Sequence, residues 1–293
     1  MQLTSLENPI CHLAECPIWN YSERALYWTD ILEKRIWRYD PKNSRITVEW
    51  QGDCMAGGFA FTKTNDIVMC TDKGVYLLPR NRQETSLQLL FDIPMAPNER
   101  FNDITTDPAG RIFAGTMTTD RKNGKLYRLQ KNTAPKIVLD GLSTSNGMTF
   151  SMDEKYFYHT DSSFMAIKKY EYDRDSGEIH GPQLFYQGTE EYGHPDGITV
   201  DTADHIWVAC WRAAKVIRLD PAGKIARVIP TPALQTSSII FAGQNMNEMY
   251  ITTACEGGAD LEKGLDKDGN FLGGLLYHIT LDISGKNEYP ADF

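Results

Sequence analysis

Leu26-Tyr27-Trp28-Thr29-Asp30 is a short strand built from aromatic and β-branched residues, and the phrase returns along the chain. It reappears as Ile67-Val68-Met69-Cys70-Thr71, Ile112-Phe113-Ala114-Gly115-Thr116, Phe157-Tyr158-His159-Thr160-Asp161, Ile206-Trp207-Val208-Ala209-Cys210 and Met249-Tyr250-Ile251-Thr252-Thr253. The second residues of these copies lie about 41, 45, 45, 49 and 43 residues apart, the period of a propeller blade. Six copies predict an all-β fold, a six-bladed β-propeller, formed as a single domain over residues 1–293.

The flanking residues support strands rather than helices. In the third repeat Ile104-Thr105-Thr106 leads into Asp107-Pro108-Ala109-Gly110, where proline presets one turn dihedral and glycine accepts the closing one. Arg111 to Ala114 and Gly124 to Leu129 follow as second and third strands. The fifth repeat runs the same way through Gly197 to Val200, His205 to Val208 and Lys215 to Leu219. Leu3 to Ile10 precedes the first repeat. By position it either pairs as an outer strand with the last blade, after Leu275 to Ile279, or hangs as a loose arm.

Composition narrows the partners. A formal charge of −9 over 293 residues argues against nucleic acid, which needs clustered Lys and Arg, and leaves room for a bound cation. No apolar run approaches the ~18 residues of a membrane span, and the first seven residues lack the pattern of a signal peptide. Six cysteines are scattered rather than spaced as a disulfide framework, so a reduced, cytoplasmic setting is expected.

A propeller's blades surround a central channel. If the first strand of each blade lines it, the residues just before those strands face one another across the mouth. That position is held by Glu15, by Arg100, Asn102 and Asp103, by Asn146, and by Asp196. Two carboxylates and an amide oxygen from three blades would form an all-oxygen site of the kind hard divalent cations prefer. Asn146-Gly147 and Asp196-Gly197 are equally ordinary turn dipeptides, so the spacing leaves both readings open.

Glu15-Cys16-Pro17-Ile18-Trp19, Arg100-Phe101-Asn102-Asp103, Asp107 to Met117, Ser145-Asn146-Gly147 and Pro195-Asp196-Gly197 together resemble the signature segments of the gluconolactonase family. That family includes senescence marker protein (regucalcin) and luciferin-regenerating enzyme, and the resemblance covers nearly the whole chain. It implies a carboxylic ester hydrolase that opens small sugar-acid lactones with one divalent ion, calcium foremost, with zinc, manganese, magnesium or iron as alternatives. On those motifs Glu15, Asn146 and Asp196 would hold the metal, and Arg100 and Asn102 would bind substrate. Asp120 falls where some members carry a substrate-binding glutamate, and is one methylene shorter. Asp196 is expected as the catalytic residue, either taking the proton of the attacking water or only positioning that water. A phosphotriesterase-like hydrolase and a non-catalytic, metal-stabilised binding propeller are the rival readings. The loop from Thr118 to Asn123 is either a lid or a plain connector.

Overall fold

The computed structural model describes residues 2–80 and 86–293. They form six four-stranded antiparallel sheets. Blade one contains β2 (Ala14–Asn20), β3 (Ala25–Asp30), β4 (Arg35–Asp40) and β5 (Arg45–Gln51). Blade two contains β6 (Ala56–Phe61), β7 (Ile67–Thr71), β8 (Gly74–Leu78) and β9 (Gln88–Phe91). Blade three contains β10 (Glu99–Thr106), β11 (Ile112–Thr118), β12 (Gly124–Leu129) and β13 (Lys136–Leu142). Blade four contains β14 (Ser145–Phe150), β15 (Tyr156–Asp161), β16 (Ala166–Tyr172) and β17 (Ile179–Gln187). Blade five contains β18 (His194–Val200), β19 (Ile206–Trp211), β20 (Lys215–Leu219) and β21 (Ile225–Pro230). Blade six contains β22 (Thr236–Ala242), β23 (Glu248–Thr253) and β24 (Tyr277–Thr280), and takes its outer strand from β1 (Thr4–Ser5). Among the described residues the one helical element is a single turn over Ser162–Phe164, and no helix is long and apolar enough to cross a membrane.

The ring closes through the N-terminal segment. Thr4 pairs with His278 and Ser5 with Tyr277, and the Leu6 amide donates to the Leu276 carbonyl at 2.8 Å. Closure satisfies an otherwise open sheet edge. The innermost strands β2, β6, β10, β14, β18 and β22 each touch the next around the ring, so their N-terminal ends converge on one axis.

Each copy of the repeated phrase is the second strand of its blade, and its large residues form the packing between blades. Tyr27, Trp28, Phe113, Phe157, Tyr158 and Trp207 are all buried. Burying each such side chain contributes roughly 1.5–3 kcal/mol. The outer strands alternate poorly and are largely exposed, as in β17, where only Tyr186 is buried. For that reason the sequence announces three strands per repeat and the structure has four. All six cysteines are free and buried.

The C-terminal tail crosses the channel end opposite the N-terminal ends of the inner strands. Gly285 bridges to Asp201, Lys286 Nζ donates to the Phe150 carbonyl, Tyr289 Oη donates to Glu154, and Ala291 bridges to Thr62. A cavity of about 510 Å³ lies beneath it, lined by residues from every blade together with Glu288 and Tyr289 of the tail.

Candidate metal and substrate site

All six inner strands carry a register shift near their N-terminal ends. It falls at Glu15/Ile18, Ala56/Gly58, Phe101/Asp103, Asn146/Met148, Pro195/Ile198 and Thr236/Ser238. A bulge leaves a residue out of the ladder and re-aims its side chain. The candidate residues therefore lie inside the inner strands, at these bulges, rather than just before the strands. In blades two and six the same phase holds only Gly57-Gly58 and Ser237-Ser238, small residues that leave the axis open. Gly147 is required by close approach, because a Cβ there would run into the Asp196 carbonyl oxygen and the Ile198 amide of the next blade.

Two aspartates at the ends of second strands hold the approach to the site. Asp30 Oδ1 and Oδ2 accept from the amides of Leu13 and His12, just before Glu15. Asp161 does the same for Thr144 and Ser143, just before Asn146. Both carboxylates close copies of the repeated phrase, yet as the last residue of an aromatic strand neither carries a local sign of this role.

Glu15, Arg100, Asn102, Asn146 and Asp196 all line one cavity of about 220 Å³ at the bulged end of the channel. That is below the about 300–1,000 Å³ typical of drug-sized ligands and suits a monosaccharide. Glu15, Asn146 and Asp196 are 6, 5 and 4 % exposed, and Glu15 Oε2, Asn146 Oδ1 and Asp196 Oδ1 are buried with no hydrogen-bond partner. Orphaned buried oxygens are rare and costly. Burial raises the Glu15 carboxyl well above its ordinary range, with the charges of Asp196 and Asp103 adding to it and Arg100 opposing. Burial likewise raises Asp196, helped by Asp103 and Glu256 and opposed by Asn146 and Arg100. Three convergent oxygen acceptors, two of them carboxylates without a direct ion pair among the described residues, fit a hard divalent ion. With only two carboxylates the trio is no cluster of acidic, cysteine or histidine ligands, and no such cluster occurs among the described residues.

Arg100 is oriented from its own strand. Its Nη1 donates to Asn102 Oδ1 at 2.7 Å and to the Phe101 carbonyl at 3.0 Å. Asn102 Nδ2 in turn donates to the Ser145 carbonyl at 3.0 Å. Asp120 is not brought to the cavity. It is exposed, and its Oδ1 accepts from Thr118 Oγ1 and the Lys122 amide within its own turn. Its neighbours Thr119 and Arg121 line the cavity instead, joined by His194, Arg212 and Glu256, which sequence reading did not single out because Arg212 and Glu256 belong to connectors and His194 opens β18 ahead of the bulge. The larger cavity beneath the C-terminal tail contains Asp103, pushed up to about 7 by burial, but none of the three orphaned oxygens.

Residues 13–255 match the family described as the SMP-30/Gluconolactonase/LRE-like region. The chain belongs to this family. The match takes in all six copies of the repeated aromatic strand and every candidate residue. Among its relatives is pentonolactonase XacC of Haloferax volcanii, 31% identical over 295 residues that span 100% of this chain and 99% of that protein. Regucalcin of Pongo abelii is 34% identical over 95% of this chain and 94% of its own. The fold superposes on luciferin-regenerating enzyme with a TM-score of 0.91 at 24% identity, covering 100% and 99% of the two chains. A calcium-binding protein, regucalcin, from Agrobacterium tumefaciens superposes with a TM-score of 0.89 at 24% identity, covering 99% and 97%.

Proposed function

We propose that the chain opens sugar-acid lactones at the bulged end of its channel, with Glu15, Asn146 and Asp196 holding one divalent cation, calcium first. The observation that carries this reading is the set of three partnerless buried oxygens from three blades, facing one cavity that also contains Arg100. Membership of a family with a pentonolactonase relative of matching length supports the lactone as substrate class. When bound, the cation would supply a Lewis acid for a lactone carbonyl.

The chain's own residues do the rest. Arg100, pre-aimed by Asn102, donates to the hydroxyl or ring oxygen of the sugar and fixes its face. Asn102 spends one donor and one acceptor on Ser145 and Arg100, so its main part is to position the guanidinium. The Asp196 carboxylate accepts the proton of the attacking water. A bond forms from that water's oxygen to the carbonyl carbon, the ring C–O bond breaks, and the proton passes to the leaving ring oxygen to give the hydroxy acid.

Following acid release with a panel of aldonolactones and a phosphotriester, before and after chelation, tests the proposal. Lactone opening that chelation stops and a divalent ion restores is the expected result. Preferred hydrolysis of the phosphotriester, or no turnover of any lactone, overturns it.

A further inference from the structure

Two guanidiniums at the cavity mouth have no work within the molecule. Arg121 lies in the turn between β11 and β12 of blade three, and Arg212 in the turn between β19 and β20 of blade five. Both line the same cavity as Asp196. Among the described residues neither has an ion-pair, hydrogen-bond or aromatic partner. Blades three and five flank blade four, so the two side chains approach the ligand space from either side of Ser162 and Ser163, which line it as well. His194, in the same wall, donates from Nδ1 to the Ser162 carbonyl at 2.9 Å, which leaves Nε2 as the ring atom available to a ligand.

We propose that Arg121 and Arg212 form an anion subsite, and that the preferred substrate is a sugar lactone carrying a negatively charged group, carboxylate or phosphate, away from the reacting carbonyl. This rests on the lactonase reading and extends it to substrate class. The chain as a whole is acidic, at −9, so two unpaired arginines converging on one small cavity run against its average surface. Arg100 already serves the ring from within. Planar guanidiniums match carboxylate and phosphate oxygens in geometry, and a neutral aldonolactone offers them nothing of that kind. Glu256, which among the described residues is the one acid lining the same wall outside the candidate metal ligands, is an acceptor suited to the sugar's hydroxyls.

The test compares kcat/KM for glucono-1,5-lactone, a glucarolactone and 6-phosphogluconolactone in the wild type, Arg121→Gln, Arg212→Gln and the double variant. At least one anionic lactone should exceed the neutral one by about a hundredfold, and that ratio should fall about tenfold for each arginine removed. Whichever anionic lactone leads identifies the source of the charge. The preference should also shrink as salt rises from about 0.05 to 0.5 M. A ratio near one, or one that the double variant leaves unchanged, overturns the subsite. Calorimetric binding of gluconate, glucarate and 6-phosphogluconate to the same four proteins separates this from failure of the lactonase reading. If no lactone is opened, tighter binding of glucarate or 6-phosphogluconate than of gluconate, abolished in the double variant, still upholds the arginines' role, and equal binding of all three acids, or a difference that the double variant keeps, refutes it.

Discussion

The Asn102 side chain donates to the Ser145 carbonyl at 3.0 Å, so blade three reaches across to the strand that carries Asn146. Its other end accepts from Arg100. One amide thereby couples the guanidinium to the candidate ion site. Asn102→Ala should lower kcat/KM on an aldonolactone by about 10- to 100-fold, the worth of a hydrogen bond to a charged group. Steady-state kinetics checks it, alongside a melting curve to confirm the fold.

Asp161 holds two amides just before Asn146. Asp161→Ala releases them and should weaken divalent-ion affinity by about 10- to 100-fold, as loss of an outer support for a metal ligand does. Titrating the protein with calcium by calorimetry reads the change directly.

Burial sharpens the repulsion between Glu15 and Asp196, so removing one charge acts in opposite directions on stability and on activity. Asp196→Asn should melt a few degrees above the wild type without added ion at pH 8, and should lose the rise in Tm that a divalent ion brings. Lactone opening should fall by about 10²- to 10⁴-fold. Scanning calorimetry with and without ion, and an acid-release assay, give the two readings.

Arg111 lies in the segment that most resembles the family, yet it serves the scaffold. Its Nε donates to Asp107 Oδ2 at 2.6 Å, and Nη2 donates to Tyr172 Oη and the Arg174 carbonyl, joining blades three and four. Asp107 is fully buried, so Arg111→Ala leaves an uncompensated charge and should cost about 3–5 kcal/mol. Urea unfolding measures it.

His159 Nε2 lies 2.7 Å from Ser145 Oγ in the core, and burial lowers its pKa from 6.5 to about 4. As pH falls, the unfolded chain takes up this proton first. The stability that depends on neutral His159 is therefore complete above about 6.5 and drains away as pH drops towards 4. Relative to His159→Gln, the wild type should lose Tm across that window, as melts at half-unit pH steps would show.

Six copies of an aromatic strand made the fold legible, because the period and the buried second strands are local properties of the chain. Glu15, Asn146 and Asp196 were legible through their shared phase in that repeat. Asp120 was placed near substrate by position after Gly115-Thr116-Met117, but the turn holds its carboxylate on itself and presents Arg121 to the cavity. Outer strands such as β17 were silent because exposure removes the alternation that marks a strand.

The residues alone determined the six-fold repeat and which oxygen-bearing side chains share one level of it, since both follow from spacing along the chain. Only the closed ring decided that those oxygens are buried without partners, that the Ser145 carbonyl holds Asn102, and that Arg121 and Arg212 reach the same cavity. Those relations depend on bulges and on turns from different blades, and contacts between residues so distant in sequence exist only after the sheets have packed around a common axis.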